Sequence, residues 1–225
     1  MVNTFYKKMN LKENLQAGVT LIEMIVVVAI IALVSSVILF NYSDFSTNVS
    51  LRNLSQEVAL AARKSQTYAT SVRRISTDTG ILSDTFAGYG ISFSVGGNSE
   101  GHTPNQKQFD VFADTDPADG MYQFDPSVCG TPADGNECIE NFTITTADKI
   151  VGICINGAVY EEGRCLEDAT VDITFKRPNP DALFCLHDAN GCSTIQIGSV
   201  GIVLESAKAA RRTVTIYTTG QITAQ

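Results

Sequence analysis

The distribution of apolar and polar residues divides the chain into three stretches. From Met24 to Phe40 the apolar run is broken only by Ser35 and Ser36, long enough to read as a membrane helix if it continues as helix on either side. Past Phe40 the pattern turns amphipathic. Leu51, Leu54, Val58, Ala61, Ser65, Ala69 and Val72 recur at spacings of three and four, while Arg52, Gln56, Arg63 and Lys64 fall off that stripe. Because proline is absent from Val19 to Val72, the pattern predicts one long helix. Asn41–Asp44 is the place where it loosens on leaving the membrane. Arg73 and Arg74 suit its C-terminus, and Gly80 marks a later break.

Alternation with period two follows. Ile91, Phe93 and Val95 form one such set, and Phe142 with Ile144 another. Val171, Ile173 and Phe175, then Ile195 and Ile197, and lastly Val214 and Ile216 continue the pattern. Turn-forming stretches separate them, such as Val95–Ser99 and Arg177–Asp181. The predicted class is therefore α+β: a long N-terminal helix, transmembrane in its first half, leaning on an antiparallel β-sandwich or curved sheet. The expected organisation is a leader over 1–18, a membrane half of the helix over 19–40, an amphipathic half over 41–75 and a β-rich head over 76–225.

Charge sharpens this division. The chain of 225 residues carries a formal −8. Residues 1–18 hold Lys7, Lys8 and Lys12 against Glu13, a balance of +2, which leaves −10 on the rest. An acidic body disfavours sequence-independent binding of nucleic acid, which needs clustered Lys and Arg. All six cysteines lie in the head: Cys129, Cys138, Cys154, Cys165, Cys185 and Cys192. None forms a C-x-x-C pair, and an even count in an exported chain reads as disulfides. Six cysteines permit fifteen connectivities. Pairing of near neighbours (129–138, 154–165, 185–192) is expected from hairpin closure, with buried free thiols as the alternative.

An ordinary signal peptide places its small-residue cleavage site after the apolar core. Here Gly18 precedes it, so cleavage would leave the apolar segment on the mature chain. Glu23 is a carboxylate at the head of that segment, costly in lipid unless partnered or interfacial. A new α-amino group at Val19 would supply a cation for the Glu23 of a neighbouring helix. A favourable charge near a helix N-terminus is the plainer reading.

Gly18-Val19-Thr20-Leu21-Ile22-Glu23 resembles the G-F-T-L-I-E motif of type IV pilins and type II secretion pseudopilins. In that family a prepilin peptidase cuts after the glycine and methylates the new N-terminus, and the glutamate aligns subunits in the filament. The resemblance implies processing at Gly18 and Val19 and assembly through Val19, Thr20 and Glu23. Val19 stands where phenylalanine is usual. The implied partners are the peptidase, other pilin or pseudopilin subunits, and the lipids of the cytoplasmic membrane before assembly. The head would lie outside that membrane, then in a periplasmic or surface filament. A weaker resemblance links Val171–Pro178, Ile202–Leu204, Arg211–Ile222 and the Ala61–Ser65 stretch to the GspH/FimT group of minor pseudopilins and pilins.

Other candidate chemistry is thinner. Asp114, Asp116 and Asp119 alternate before Gly120, a turn of the kind that holds a structural calcium, the one cofactor considered, although acidic turns also form for backbone reasons alone. Lys208, Arg211 and Arg212 are the basic cluster of the last quarter. Some FimT-type relatives are minor pilins that bind DNA through C-terminal arginines, so a DNA-binding minor pilin is the rival reading. A solvated strand end accounts for the cluster more simply, and nucleic acid is not an expected partner. A membrane-anchored receptor that never polymerises is the third reading. Catalysis has little support, since His102 and His187 are isolated, the latter beside Cys185 and Asp188.

Overall fold

The computed structural model describes residues 18–71, 76–77, 80–81, 88–96, 105–115, 120–122, 129, 137–156, 165–188, 191–194 and 197–225. The chain divides into two compact units, Met1–Ser43 and Asp44–Gln225. The described part of the first is the beginning of one helix, α1 (Leu21–Thr70), which runs on into the second. The loosening expected at Asn41–Asp44 does not occur. Backbone propensity is weak beside an uninterrupted run of helical hydrogen bonds, and Asn48 Nδ2 donates to Asp44 O at 3.0 Å within the helix.

Around the second part of α1 lie short β1 (Ser76–Thr77) and β2 (Gly80–Ile81), which pair with each other. Gly80 therefore sits in a strand rather than simply ending the helix. The remaining strands are β3 (Gly88–Ser94), β4 (Gln108–Asp114), β5 (Cys138–Thr143), β6 (Lys149–Ile155), β7 (Cys165–Leu166) and β8 (Thr170–Phe175). They continue with β9 (Ala182–Asp188), β10 (Gly191–Thr194), β11 (Ser199–Glu205), β12 (Arg211–Tyr217) and β13 (Ile222–Ala224). Two antiparallel sheets result, ordered β10-β9-β8-β3-β4-β5 and β13-β12-β11-β6-β7. Ile197 lies just before β11 rather than in a strand, and Ile195 falls outside the described residues.

One apolar core joins the helix to both sheets. Leu51, Leu54, Val58, Ala61, Ala62 and Ala69 of α1 are buried with Ile91, Phe93, Phe109, Val111, Ile173 and Phe175 of the first sheet. Ile150, Ile153, Ile202, Leu204, Val214 and Ile216 of the second complete it. Burying a side chain of Leu or Val size contributes on the order of 1.5–3 kcal/mol, so this stripe alone holds the helix to the head. Its late positions are small because the strands come close. Ser65 Oγ lies 3.1 Å from both Ala61 O and Gly90 O. Val72, Arg73 and Arg74 fall outside the described residues. The carbonyls at the end of α1 receive Arg177, whose Nε donates to Ala69 O (3.1 Å) and Nη2 to Thr70 O (3.2 Å).

Gly90 is needed for packing within its own sheet. A Cβ there would press on the Phe112 ring and lie 2.8 Å from Ile173 O, and a backbone carbonyl cannot move aside as a side-chain end can. Gly90→Ala is expected to destabilise the head by about 1–3 kcal/mol through overpacking. The check is thermal unfolding of the detergent-solubilised chain, and an unchanged midpoint would contradict this account.

Candidate processing and assembly site

The described chain begins with three non-helical residues, Gly18–Thr20, ahead of α1. Thr20 sets the helix start. Its carbonyl accepts from Met24 N at 3.2 Å, and its Oγ1 accepts from the backbone N–H of Glu23 at 3.3 Å. Thr-x-x-Glu is the sequence form of a capping box, with Thr20 as the cap and Glu23 three residues on. Glu23 also lies in the first turn, where the helix dipole favours an anion. Thr20 and Glu23 are thus brought together by local backbone geometry.

Gly18 has no packing reason to be glycine. A Cβ built there meets no described atom within 4 Å. Val19 follows, 65% exposed, and the apolar side chains run on without cover to Phe40 at 82%. The richest eighteen-residue window has a mean hydropathy of 2.9, and none of it is buried. At about 1.5 Å per residue, Leu21–Ser43 spans roughly 34 Å, enough for a hydrocarbon core of about 30 Å.

Residues 14–39 match the family model of the prokaryotic N-terminal methylation motif. The chain therefore carries a prokaryotic N-terminal methylation motif where its apolar helix begins. No curated protein and no solved structure matches the chain. The prepilin motif implies processing by a prepilin peptidase and assembly with other pilins, and it accounts for a helix whose apolar surface its own chain leaves bare.

The disulfides of the head are the near-neighbour pairs Cys129–Cys138, Cys154–Cys165 and Cys185–Cys192. Each closes a loop of about ten residues, which confines the unfolded chain and stabilises the head by the chain-entropy argument. Cys154–Cys165 ties β6 to β7 in register.

Of the acidic turn, Asp114 is fully buried. Its Oδ1 accepts from Gly120 N at 3.1 Å, and its Oδ2 lies 2.9 Å from Lys176 Nζ. Thr174 Oγ1 donates to Gly120 O at 2.9 Å. Asp114 thus fastens Gly120 to the face of the first sheet. Asp116 and Asp119 fall outside the described residues. In the basic cluster, Lys208 pairs with Asp44, and Arg211 Nε donates to Glu205 Oε2 at 2.7 Å. Arg212 is half-buried on β12 beside them.

Sequence reasoning missed a polar network on the same sheet face. Asp172 is fully buried; its Oδ1 accepts from Ser92 Oγ at 2.6 Å, and its Oδ2 from Tyr122 N at 2.9 Å. His187 Nε2 lies 2.6 Å from the same Oδ2, which pairs His187 with Asp172. His102 falls outside the described residues. Burial, then the carboxylates of Asp110, Asp172 and Glu137, push the Tyr122 phenol well above its ordinary value and keep it neutral. Burial also raises the Asp110 carboxyl, against the lowering effect of hydrogen bonds from Asn141 and Gln108. The only sequence signal was a polar residue at every second place in β3 and β8, which reads equally well as a wet face.

Gly18→Val is expected to leave the head's stability within about 0.5 kcal/mol of the parent, because the site is open. Co-expressed with a prepilin peptidase, it should keep its leader; intact mass reads this directly, and normal trimming would separate Gly18 from processing.

Proposed function

We propose that this chain is a structural, non-enzymatic subunit, a minor pseudopilin or minor pilin of a type II secretion pseudopilus or type IV pilus. The observation that carries the reading is the conjunction at residues 14–40. A methylation motif sits at the start of a helix whose apolar side chains are uncovered from Val19 to Phe40. Such a surface needs lipid at one stage and neighbouring helices at another. The positive balance of residues 1–18 puts the leader on the cytoplasmic side and the head across the membrane.

Peptidase cleavage after Gly18 frees an amine at Val19, and methylation leaves it cationic. Within a filament that amine would meet the Glu23 carboxylate of a neighbour, so that two charges costly in apolar surroundings neutralise each other only in the correct register. Glu23's own backbone N–H is already taken by Thr20 Oγ1, while its carboxylate projects from the exposed first turn of α1. The closing strands β11, β12 and β13 contain the stretches that resemble the GspH/FimT group and support a place among its minor subunits. The pairing of Lys208 with Asp44 and of Arg211 with Glu205 weighs against a phosphate clamp for DNA.

The test is co-expression with the cognate prepilin peptidase, followed by intact mass and N-terminal sequencing. A mature chain beginning at methylated Val19 supports the reading. A chain that keeps Met1–Gly18 with its authentic peptidase overturns it and leaves a simple membrane anchor. For register, Glu23→Ala should be folded and cleaved normally yet recovered in sheared filaments at no more than a tenth of the parent amount. Incorporation at the parent level would remove the assigned role from Glu23.

A further inference from the structure

The hairpin of β9 and β10 brings an unusual set of groups to one face of the first sheet. Cys185 and His187 are two residues apart on β9 and share a side of the sheet. Cys192 of β10 stands opposite His187, and Asp172 of β8 stands opposite Cys185. The candidate ligand atoms of Asp172, Cys185 and His187 all lie within 4.8 Å of one another. Cys192 Sγ is bonded to Cys185 Sγ, so the fourth group is in reach by covalent necessity. The cluster is shielded: Asp172 is 0% exposed, the His187 side chain 8% and Cys185 4%.

We propose that, in its dithiol form, this hairpin is a metal site in which Cys185, Cys192, His187 and Asp172 hold one tetrahedral, borderline-soft divalent cation of the zinc type. Two sulfurs, one imidazole nitrogen and one carboxylate oxygen are the donor types such an ion prefers. Ligands at about 2.0–2.3 Å from a tetrahedral centre lie roughly 3–4 Å apart, so the observed spread closes with small side-chain adjustments. Supporting groups are in place as well. Ser92 Oγ and Tyr122 N already orient the Asp172 carboxylate at 2.6 and 2.9 Å, as outer groups do in metal centres.

The disulfide and the cation are alternative occupants of the same two sulfurs. A dithiol donor supplies two electrons and two protons to the Cys185–Cys192 bond, is itself oxidised to a disulfide, and leaves two thiols. The cation then displaces both thiol protons to solvent, His187 offers an unprotonated Nε2 as its Nδ1–H tautomer, and the ion takes the place of the contact between His187 Nε2 and Asp172 Oδ2. The other two disulfides offer no such set among the described residues. Cys154 and Cys165 sit with Val203 and Val151, and Cys138 with Phe112 and Tyr122. They serve as internal controls.

The experiment uses the full chain in detergent, reduced without oxygen by a phosphine and titrated with cobalt(II) alone, then with zinc(II). The expected result is one cobalt per chain, with thiolate charge-transfer and tetrahedral d–d bands that zinc abolishes, and no such bands in the oxidised chain. Cys185→Ser/Cys192→Ser should lose the bands, while Cys154→Ser/Cys165→Ser keeps them. His187→Ala should shift the d–d bands and weaken binding at least tenfold. Near-ultraviolet circular dichroism follows the fold throughout. The proposal is overturned by a reduced chain without the bands, by bands that survive Cys185→Ser/Cys192→Ser, by an unmoved His187→Ala, or by a reduced chain that unfolds and stays unfolded with zinc.

Discussion

Among the described residues, nothing covers the apolar side chains from Val19 to Phe40. In water each would cost on the order of 1–3 kcal/mol relative to burial, and a run of this length cannot persist there. Most other features of the protein follow from supplying that cover. A hydrocarbon layer does so first, and its thickness matches the length of the helix start. On the proposed function, neighbouring helices would do so afterwards, reached once the basic leader is removed and the new amine is balanced by a carboxylate. Thr20 fixes where the helix begins and therefore where Glu23 sits relative to that amine.

The second half of the same helix solves the opposite problem. Its stripe is covered by the two sheets, and the change from bulky Leu51, Leu54 and Val58 to small Ala61, Ala62, Ser65 and Ala69 lets the first sheet close in at Gly90. Polar contacts then hold the register of helix and head. Ser50 reaches Asp148, Gln66 reaches the carbonyls of Pro180 and Gly220, and Arg177 covers the helix end. These residues come from distant parts of the chain, so the head grips the helix along its length.

The outer face of the first sheet is buried by polar groups as well as by the apolar cluster of Phe112, Tyr122 and Cys138. Asp114 and Asp172 hold the backbone of Gly120 and Tyr122 across strands whose residues there are Ser92, Thr170 and Thr174. Each carboxylate has a cationic or potentially cationic partner, Lys176 or His187. Such pairs are weak sources of net stability but strict about geometry, since removing one partner strands a charge in a dry site. Cys185–Cys192 sits at the end of this seam, which is why Cys185 has an imidazole and a carboxylate beside it.

What the residues by themselves determined is local or periodic. The order of leader, glycine, glutamate and apolar run depends on linear order alone, and the helix and its buried stripe depend on a spacing of 3.6. The strands with one clean alternating face, β3, β8 and β12, were legible for the same reason. Tertiary structure decided what requires a second segment. β4 and β6 were not singled out because apolar residues stand on both of their faces, so Val111–Phe112 and Ile153–Cys154 break the alternation with polar residues. Arg177 as the helix cap, Asp172 as the partner of His187 and the burial of Asp114 all join residues far apart in sequence. Ser92, Asp172 and Thr174 look like a solvated face until the chain around Gly120–Tyr122 crosses them. A polar side chain records that it needs a partner, but only the fold chooses between water and another residue.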